Sequence, residues 1–120
     1  MSAKVQTRSV EPRIRFNYGR KLSFGPGKAD LLERIGRTGS ISEAAKAMNM
    51  SYMRAWTLVK SMDQGFVEPL VRKTRGGNDR GGATLSKTGR QVLALYREME
   101  AVTVKAIQRT NAKLKLMLKL

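Results

Sequence analysis

The 120-residue chain has no cysteine and no histidine. Without cysteine there is no disulfide framework and no zinc finger. Without histidine the commonest general base and the commonest metal ligand are missing. Carboxylates are scarce, nine Asp and Glu in all, and they are dispersed. Several, such as Glu98 and Glu100, sit on evident helix surfaces, and no pair stands where a general acid and base are needed. An enzyme is not expected, nor a metal site. No apolar run approaches the roughly 18 residues of a membrane span. The N-terminus has scattered charges and no apolar core of a signal peptide. These absences lead us to expect a cytoplasmic protein with no membrane partner.

What is abundant is positive charge. Lys and Arg number 24, for a net charge of +15. That excess calls for a polyanionic partner, nucleic acid before anionic membrane, although a basic surface that only keeps the protein soluble would have the same composition. The apolar fraction of 41% suits one folded domain with one modest core.

The stretch from Gly39 to Met62 organises the rest. Ser42 is placed to N-cap a short helix with Ala44, Ala45 and Met48 on its buried face. Asn49-Met50 makes a tight break, and Ser51 then N-caps a longer helix with Ala55, Val59 and Met62 inward. A serine hydroxyl accepts a hydrogen bond from an orphan amide of the first turn, which is why it starts helices. Two helices joined by so short a turn, with alanines where they cross, describe a helix-turn-helix. The second helix of such a unit enters the DNA major groove. Other helical hairpins with small residues share this pattern.

Upstream, residues 1–12 are polar and mixed. Arg13 to Tyr18 alternate, with Ile14, Phe16 and Tyr18 on one face, as in a half-buried strand. Arg20 to Phe24 are expected to extend it beyond a kink at Gly19. Pro26 suits the first turn of a helix. That helix runs to about Arg37 with Leu31, Leu32 and Ile35 buried, and Thr38-Gly39 ends it. Gly27-Lys28 suggests a phosphate-binding loop, but that motif needs Gly where Leu22 stands and Ser or Thr where Ala29 stands, so a P-loop is rejected.

Downstream, Gly65 closes the long helix, Phe66-Val67 are expected to pack behind it, and Pro69 leads into a strand, Leu70 to Lys73. A loop from Thr74 to Gly82 is rich in Gly and Arg, and a second strand, Ala83 to Leu85, returns. This is a β-hairpin of the kind called a wing. Its glycines let the backbone approach a phosphate chain, and Arg72, Lys73, Arg75 and Arg80 supply charge. The same residues also describe a solvated loop in the absence of DNA.

Ser86 caps the last helix. Val92, Leu95, Met99, Val102 and Ala106 recur in a heptad-like seam, with Leu93, Tyr96, Val104 and Ile107 alongside. One stripe serves the core and the other a partner. A helix of about 24 residues spans ~36 Å, more than a domain this small needs, so a dimerisation helix is expected, against the alternative of a long helix wrapped on its own domain. From Lys113 to Leu120 Lys and Leu alternate with period two. That tail is left open between an added strand in the dimer, a segment against an apolar surface and a frayed end.

The order strand, helix, helix-turn-helix, wing, long helix resembles the DNA-binding domain of the molybdate-responsive regulators, the ModE family, and is similar more distantly to the LysR-type regulators. The resemblance rests on Gly39 to Ser42 with Ala44-Ala45, on Ser51-Tyr52 with Ala55-Trp56, on the wing from Leu70 through Gly76-Gly77 to Ala83, and on Leu85 to Gly89. It covers about residues 14–110 and implies a dimeric transcription factor that often represses molybdate-uptake genes. Members of that family carry molybdate-binding domains after the long helix. These 120 residues leave no room for one, so neither a molybdate response nor any other cofactor is expected. A small oxyanion would need a new site, for which only the Gly-rich wing offers backbone amides.

The expected fold is mainly α with a small β component: a winged helix-turn-helix with an N-terminal strand, a two-stranded wing and a long C-terminal helix. Residues 1–12 form a flexible start, 13–86 the winged helix-turn-helix, and 87–120 the dimerisation helix with its tail. The expected function is a sequence-specific transcriptional regulator, a repressor, bound as a homodimer to double-stranded DNA. Tyr52, Met53, Arg54 and Thr57 are the candidates for base contact, with Arg54 suited to guanine and Met53 or Thr57 to a thymine methyl. Ser51 and Lys60 suit phosphates. Trp56 is read as a packing cover that braces the helix against the wing or a partner, its indole N–H finding a polar group. The rival readings are a basic architectural protein that coats DNA without reading sequence, and a membrane- or partner-binding module using the Lys/Leu tail.

Overall fold

The computed structural model describes residues 10–74 and 82–119. Its elements run β1 (Phe16–Tyr18), β2 (Leu22–Phe24), α1 (Pro26–Thr38), α2 (Ile41–Ala47), α3 (Tyr52–Gly65), β3 (Val71–Thr74), β4 (Gly82–Leu85) and α4 (Lys87–Lys115). This is the winged helix-turn-helix with a long last helix that the sequence predicts. Among the described residues no helix is long and apolar enough to cross a membrane.

The first departure is at the N-terminus. Residues 22–24 do not extend the first strand; they fold back on it as an antiparallel hairpin, Phe16 opposite Phe24 and Tyr18 opposite Leu22. Gly19 makes the turn at φ 62°, a left-handed conformation that glycine adopts without a steric penalty. The hairpin also leaves Tyr18 exposed at 55% rather than buried with Phe16.

Pro26 opens α1, and Gly39 closes it at φ 72° with its N–H bonded to the Ile35 carbonyl. Leu31, Leu32 and Ile35 are fully buried on its inner face. Ala44, Ala45, Ala55, Val59 and Met62 join them from α2 and α3, as does Leu70. The small side chains let α2 and α3 cross closely, and Asn49 takes the break at φ 55°. The cap on α2 is Ser40, not Ser42: the Ser40 hydroxyl accepts from the Glu43 N–H. Ser40-Ile-Ser-Glu43 has the S-x-x-E spacing of a capping box, the sequence signal that distinguishes two neighbouring serines. Behind α3, Phe66 packs edge-on to Phe24. Val67 does not pack; it is 95% exposed.

α4 is longer than expected, 29 residues or about 43 Å. Its start is bolted to the wing. The Ser86 hydroxyl accepts from Gly89 N–H and donates to the Pro69 carbonyl, while Ser86 N–H reaches Leu70 O. Gly89 lies so close to the Leu70 backbone that a Cβ there would clash with its oxygen. Tyr96 is buried at 1% between Phe16 and Phe24, and its hydroxyl donates to the Ile14 carbonyl at 2.6 Å. One residue on, Arg97 binds Asp30 and Glu33 of α1 and Glu100 of its own helix, at 2.8–3.0 Å. Burial opposes the Arg97 charge, but the hydrogen bonds to Asp30, Glu100 and Glu33 outweigh it and hold its pKa above the ordinary guanidinium value. The first half of α4 is thus part of the core. Lys113 to Lys115 stay helical instead of extended, and beyond them the chain turns.

Candidate nucleic-acid interface

α3 presents its outer face because its inner one is spent on the core. Ser51 caps it, the hydroxyl accepting from Arg54 N–H at 3.1 Å. That leaves the Ser51 O–H itself as a donor at an exposed helix start. Met53 is 69% exposed, with Thr57 one turn on and also exposed. The Thr57 hydroxyl donates to the Met53 carbonyl at 2.9 Å, so its hydrogen is committed while its lone pairs and methyl are not. Tyr52 leans the other way, toward the wing. It lines a cavity of about 270 Å³ with Ser40, Ser42, Lys73 and Ala83, at the junction of α2, α3 and the wing.

Trp56 is half-buried on the flank of α3 that faces the wing. Lys60 lies over its ring at 4.6 Å and Lys73, from β3, at 5.0 Å. An indole face attracts ammonium groups through its quadrupole, so one ring gathers a cation from α3 and one from the wing. Lys73 brings the wing against Trp56. β3 and β4 pair antiparallel, Val71 opposite Leu85 and Arg72 opposite Thr84. Val71 is buried while Arg72, Lys73 and Thr74 are all exposed, so the strand leaves the core after its first residue. The wing is tied to the end of α1 by a bond from Ala83 N–H to Gly39 O at 2.8 Å. Arg75 and Arg80 lie outside the described residues.

The structure therefore gathers Tyr52, Trp56, Lys60 and Lys73 on one side of α3, with Met53 and Thr57 beside them. Arg54 stands apart from these: two residues from Trp56, it points about 200° round the helix. It lines a different cavity, with Arg15 and Lys28. Sequence reasoning missed Arg15 and Lys28, because nothing local to either residue shows that β1, α1 and α3 converge there. Lys28 donates to the Ser23 carbonyl at 2.6 Å and to the Ser61 hydroxyl at 3.2 Å. Burial, and then the neighbouring Arg15, hold its pKa below the ordinary lysine value.

α4 and the first hairpin carry exposed apolar side chains. Of the seam residues on α4, Val92 and Met99 are half-buried, while Leu95 and Val102 are each 59% exposed and Ala106 is exposed. Phe16 and Tyr18 from the first hairpin continue the same surface, lining a groove with Leu95, Met99 and Val102. Among the described residues there is no cluster of three or more potential metal ligands of the His, Cys, Asp and Glu types.

Over about 70% of its length the chain is homologous to known proteins. It is 40% identical over 84 residues to the molybdenum transport protein ModE of Azotobacter vinelandii. It is 39% identical over 84 residues to the molybdenum-pterin-binding protein MopB of Rhodobacter capsulatus. To the DNA-binding transcriptional dual regulator ModE of Escherichia coli (strain K12) it is 36% identical over 86 residues. The matched stretches are 31–33% of those relatives, so the chain spans about a third of the length of the curated relatives it matches. No family model matches. Over that stretch the chain is similar to the ModE and MopB proteins, and its fold is a winged helix-turn-helix.

Proposed function

We propose that this ModE-like chain is a sequence-specific transcriptional regulator that binds duplex DNA as a homodimer, with repression as the outcome. The observation that carries the reading is the outer face of α3. Met53 and Thr57 are exposed there, in a protein of net charge +15, beside a wing whose Lys73 shares the Trp56 ring with Lys60. Met53, Thr57 and Tyr52 read bases, Arg54 reaches a guanine or the flanking backbone, and Ser51, Lys60, Arg72, Lys73, Arg75 and Arg80 take phosphates. Phosphate contacts set affinity and register, and base edges set sequence choice. One of the relatives is a DNA-binding transcriptional regulator by name, which supports the assignment.

The dimer is formed by α4 through Val92, Leu95, Met99, Val102 and Ala106, with Tyr18 of the first hairpin beside them. Exposed Leu and Val at helical spacing next to an exposed Tyr make an apolar surface that a second copy would cover. A two-fold dimer then presents two α3 helices to half-sites ~34 Å apart, or a multiple of that. The test is selection from random duplexes at near-physiological salt with scrambled competitor. Enrichment of a two-fold symmetric motif is the expected result. Tight binding with no enriched motif would replace this reading with the architectural one.

A further inference from the structure

We propose that Arg15, Lys28 and Arg54 form a phosphate-binding pocket on the side of α3 away from the wing, holding the DNA backbone across the groove from the wing. The proposal rests on the DNA-binding reading and adds a contact surface to it.

Three observations support it. First, the three cations come from three separate segments: Arg15 precedes β1, Lys28 is in α1 and Arg54 is in α3. They nevertheless line one cavity of about 300 Å³, and no acidic residue lines it. Among the described residues none of the three has an ion-pair partner. Like charges brought together without a counter-ion repel, and the lowered pKa of Lys28 registers that repulsion after the larger effect of burial. An anion in the cavity offsets it.

Second, the arrangement is not explained by packing alone. Lys28 has a structural task, clipping Ser23 to Ser61. Arg15 is not needed for that clip, and its charge works against it. Arg15 lays its Cβ and Cγ across Gly25, 3.4–3.5 Å from where a Cβ at that glycine would sit. This fixes the stem of Arg15 beside the cavity it lines.

Third, the position suits a duplex. The outward face of α3 is centred near Met53 and Thr57. Trp56 with Lys60 and Lys73 flanks it on one side, and Arg54 with Arg15 and Lys28 on the other. A helix lying in the major groove has a phosphate backbone on each side. The wing accounts for one backbone, and the three-cation cavity meets the other.

The experiment measures duplex affinity across a salt series for the wild type, Arg15→Gln and Arg20→Gln. Glutamine keeps the Cβ and Cγ that pack on Gly25, and Arg20, exposed in the turn of the first hairpin, is the control. For Arg15→Gln the slope of log K against log salt should become shallower by about 1 per protomer. Selected and scrambled duplexes should weaken by the same factor, and the melting midpoint should not fall. Arg20→Gln should match wild type. An unchanged slope in Arg15→Gln overturns the pocket while leaving the DNA-binding reading intact. A wild type that binds no duplex overturns both. A parallel titration with inorganic phosphate, followed by the amide shifts of Gly27 and Lys28, separates the sources of the anion. Phosphate binding lost in Arg15→Gln with no change in salt slope would mean a free oxyanion, not the DNA backbone, and would overturn the assignment.

Discussion

The described residues form two antiparallel β-hairpins of similar size, and they do opposite things. The first, β1–β2, carries Phe16, Tyr18, Leu22 and Phe24 and lies against α4. The second, β3–β4, carries Arg72 and Lys73 and lies beside α3. Each extends the surface of the helix it backs, one in apolar side chains and the other in cations. The three-residue and four-residue strands give Leu22, Phe24, Val71, Ala83 and Leu85 to the core. Their remaining side chains turn a single helix face into a broader surface and decide what that surface can meet.

The largest effect should come from breaking the apolar side. Leu95→Asp with Val102→Asp places two charges on exposed positions of the α4 seam, and a two-fold dimer doubles each. Burying unpaired carboxylates is costly. Dimer dissociation, followed by sedimentation at micromolar protein, should become easier by at least ~100-fold. The fold should survive, because both side chains are exposed in the single chain. An unchanged dimer fraction would remove α4 from the interface. A smaller effect is expected from the basic side. Arg72→Ala with Lys73→Ala should leave the oligomeric state alone and flatten the salt dependence of duplex binding by about 2 per protomer. If the double variant dissociates the dimer instead, the two hairpins do not divide the work as described.

Much of this division was legible in the sequence, for local reasons. Ser51 and Ser86 each precede an apolar run and cap it. Gly39 follows one and closes it in the left-handed region. Leu31, Leu32, Ile35, Ala55, Val59 and Met62 repeat at helical spacing and are all buried. The first hairpin was read as one extended strand, because period-two alternation is the same whether the chain continues or folds back. Only the conformation of Gly19 separates the two. The Lys/Leu alternation from Lys113 to Leu120 leaves an added strand, an apolar contact and a frayed end all open in the sequence, and the helix runs into it as far as Lys115. There propagation of a helix already 20 residues and more in length outweighs a short local pattern. The convergence of Arg15, Lys28 and Arg54 had no sequence signal, since it exists only once three segments have packed.

The smallest effect distinguishes how the two hairpins are fastened. The wing hangs on backbone bonds, Ala83 N–H to Gly39 O and Ser86 N–H to Leu70 O, which no side-chain substitution removes. The first hairpin is pinned through a side chain, the Tyr96 hydroxyl donating to Ile14 O while its ring packs edge-on against Phe16 and Phe24. Tyr96→Phe keeps the ring and deletes the bond, leaving a carbonyl without its donor, for a loss of about 1 kcal/mol. The phenol also makes this pin sensitive to alkali. Burial, and then Glu100, raise the Tyr96 pKa above its usual value of 10.0. A group whose folded pKa is raised contributes stability that is complete below the unfolded pKa and is lost as pH rises through the folded one. Wild-type stability should therefore hold up to about pH 10 and fall above it. Tyr96→Phe should start lower and lack that component of the fall, so the two unfolding curves converge as the pH rises. Chemical denaturation at neutral pH and at a series of values above pH 10 measures the gap. A gap that stays constant with pH would mean that the phenol does not hold the hairpin through its proton.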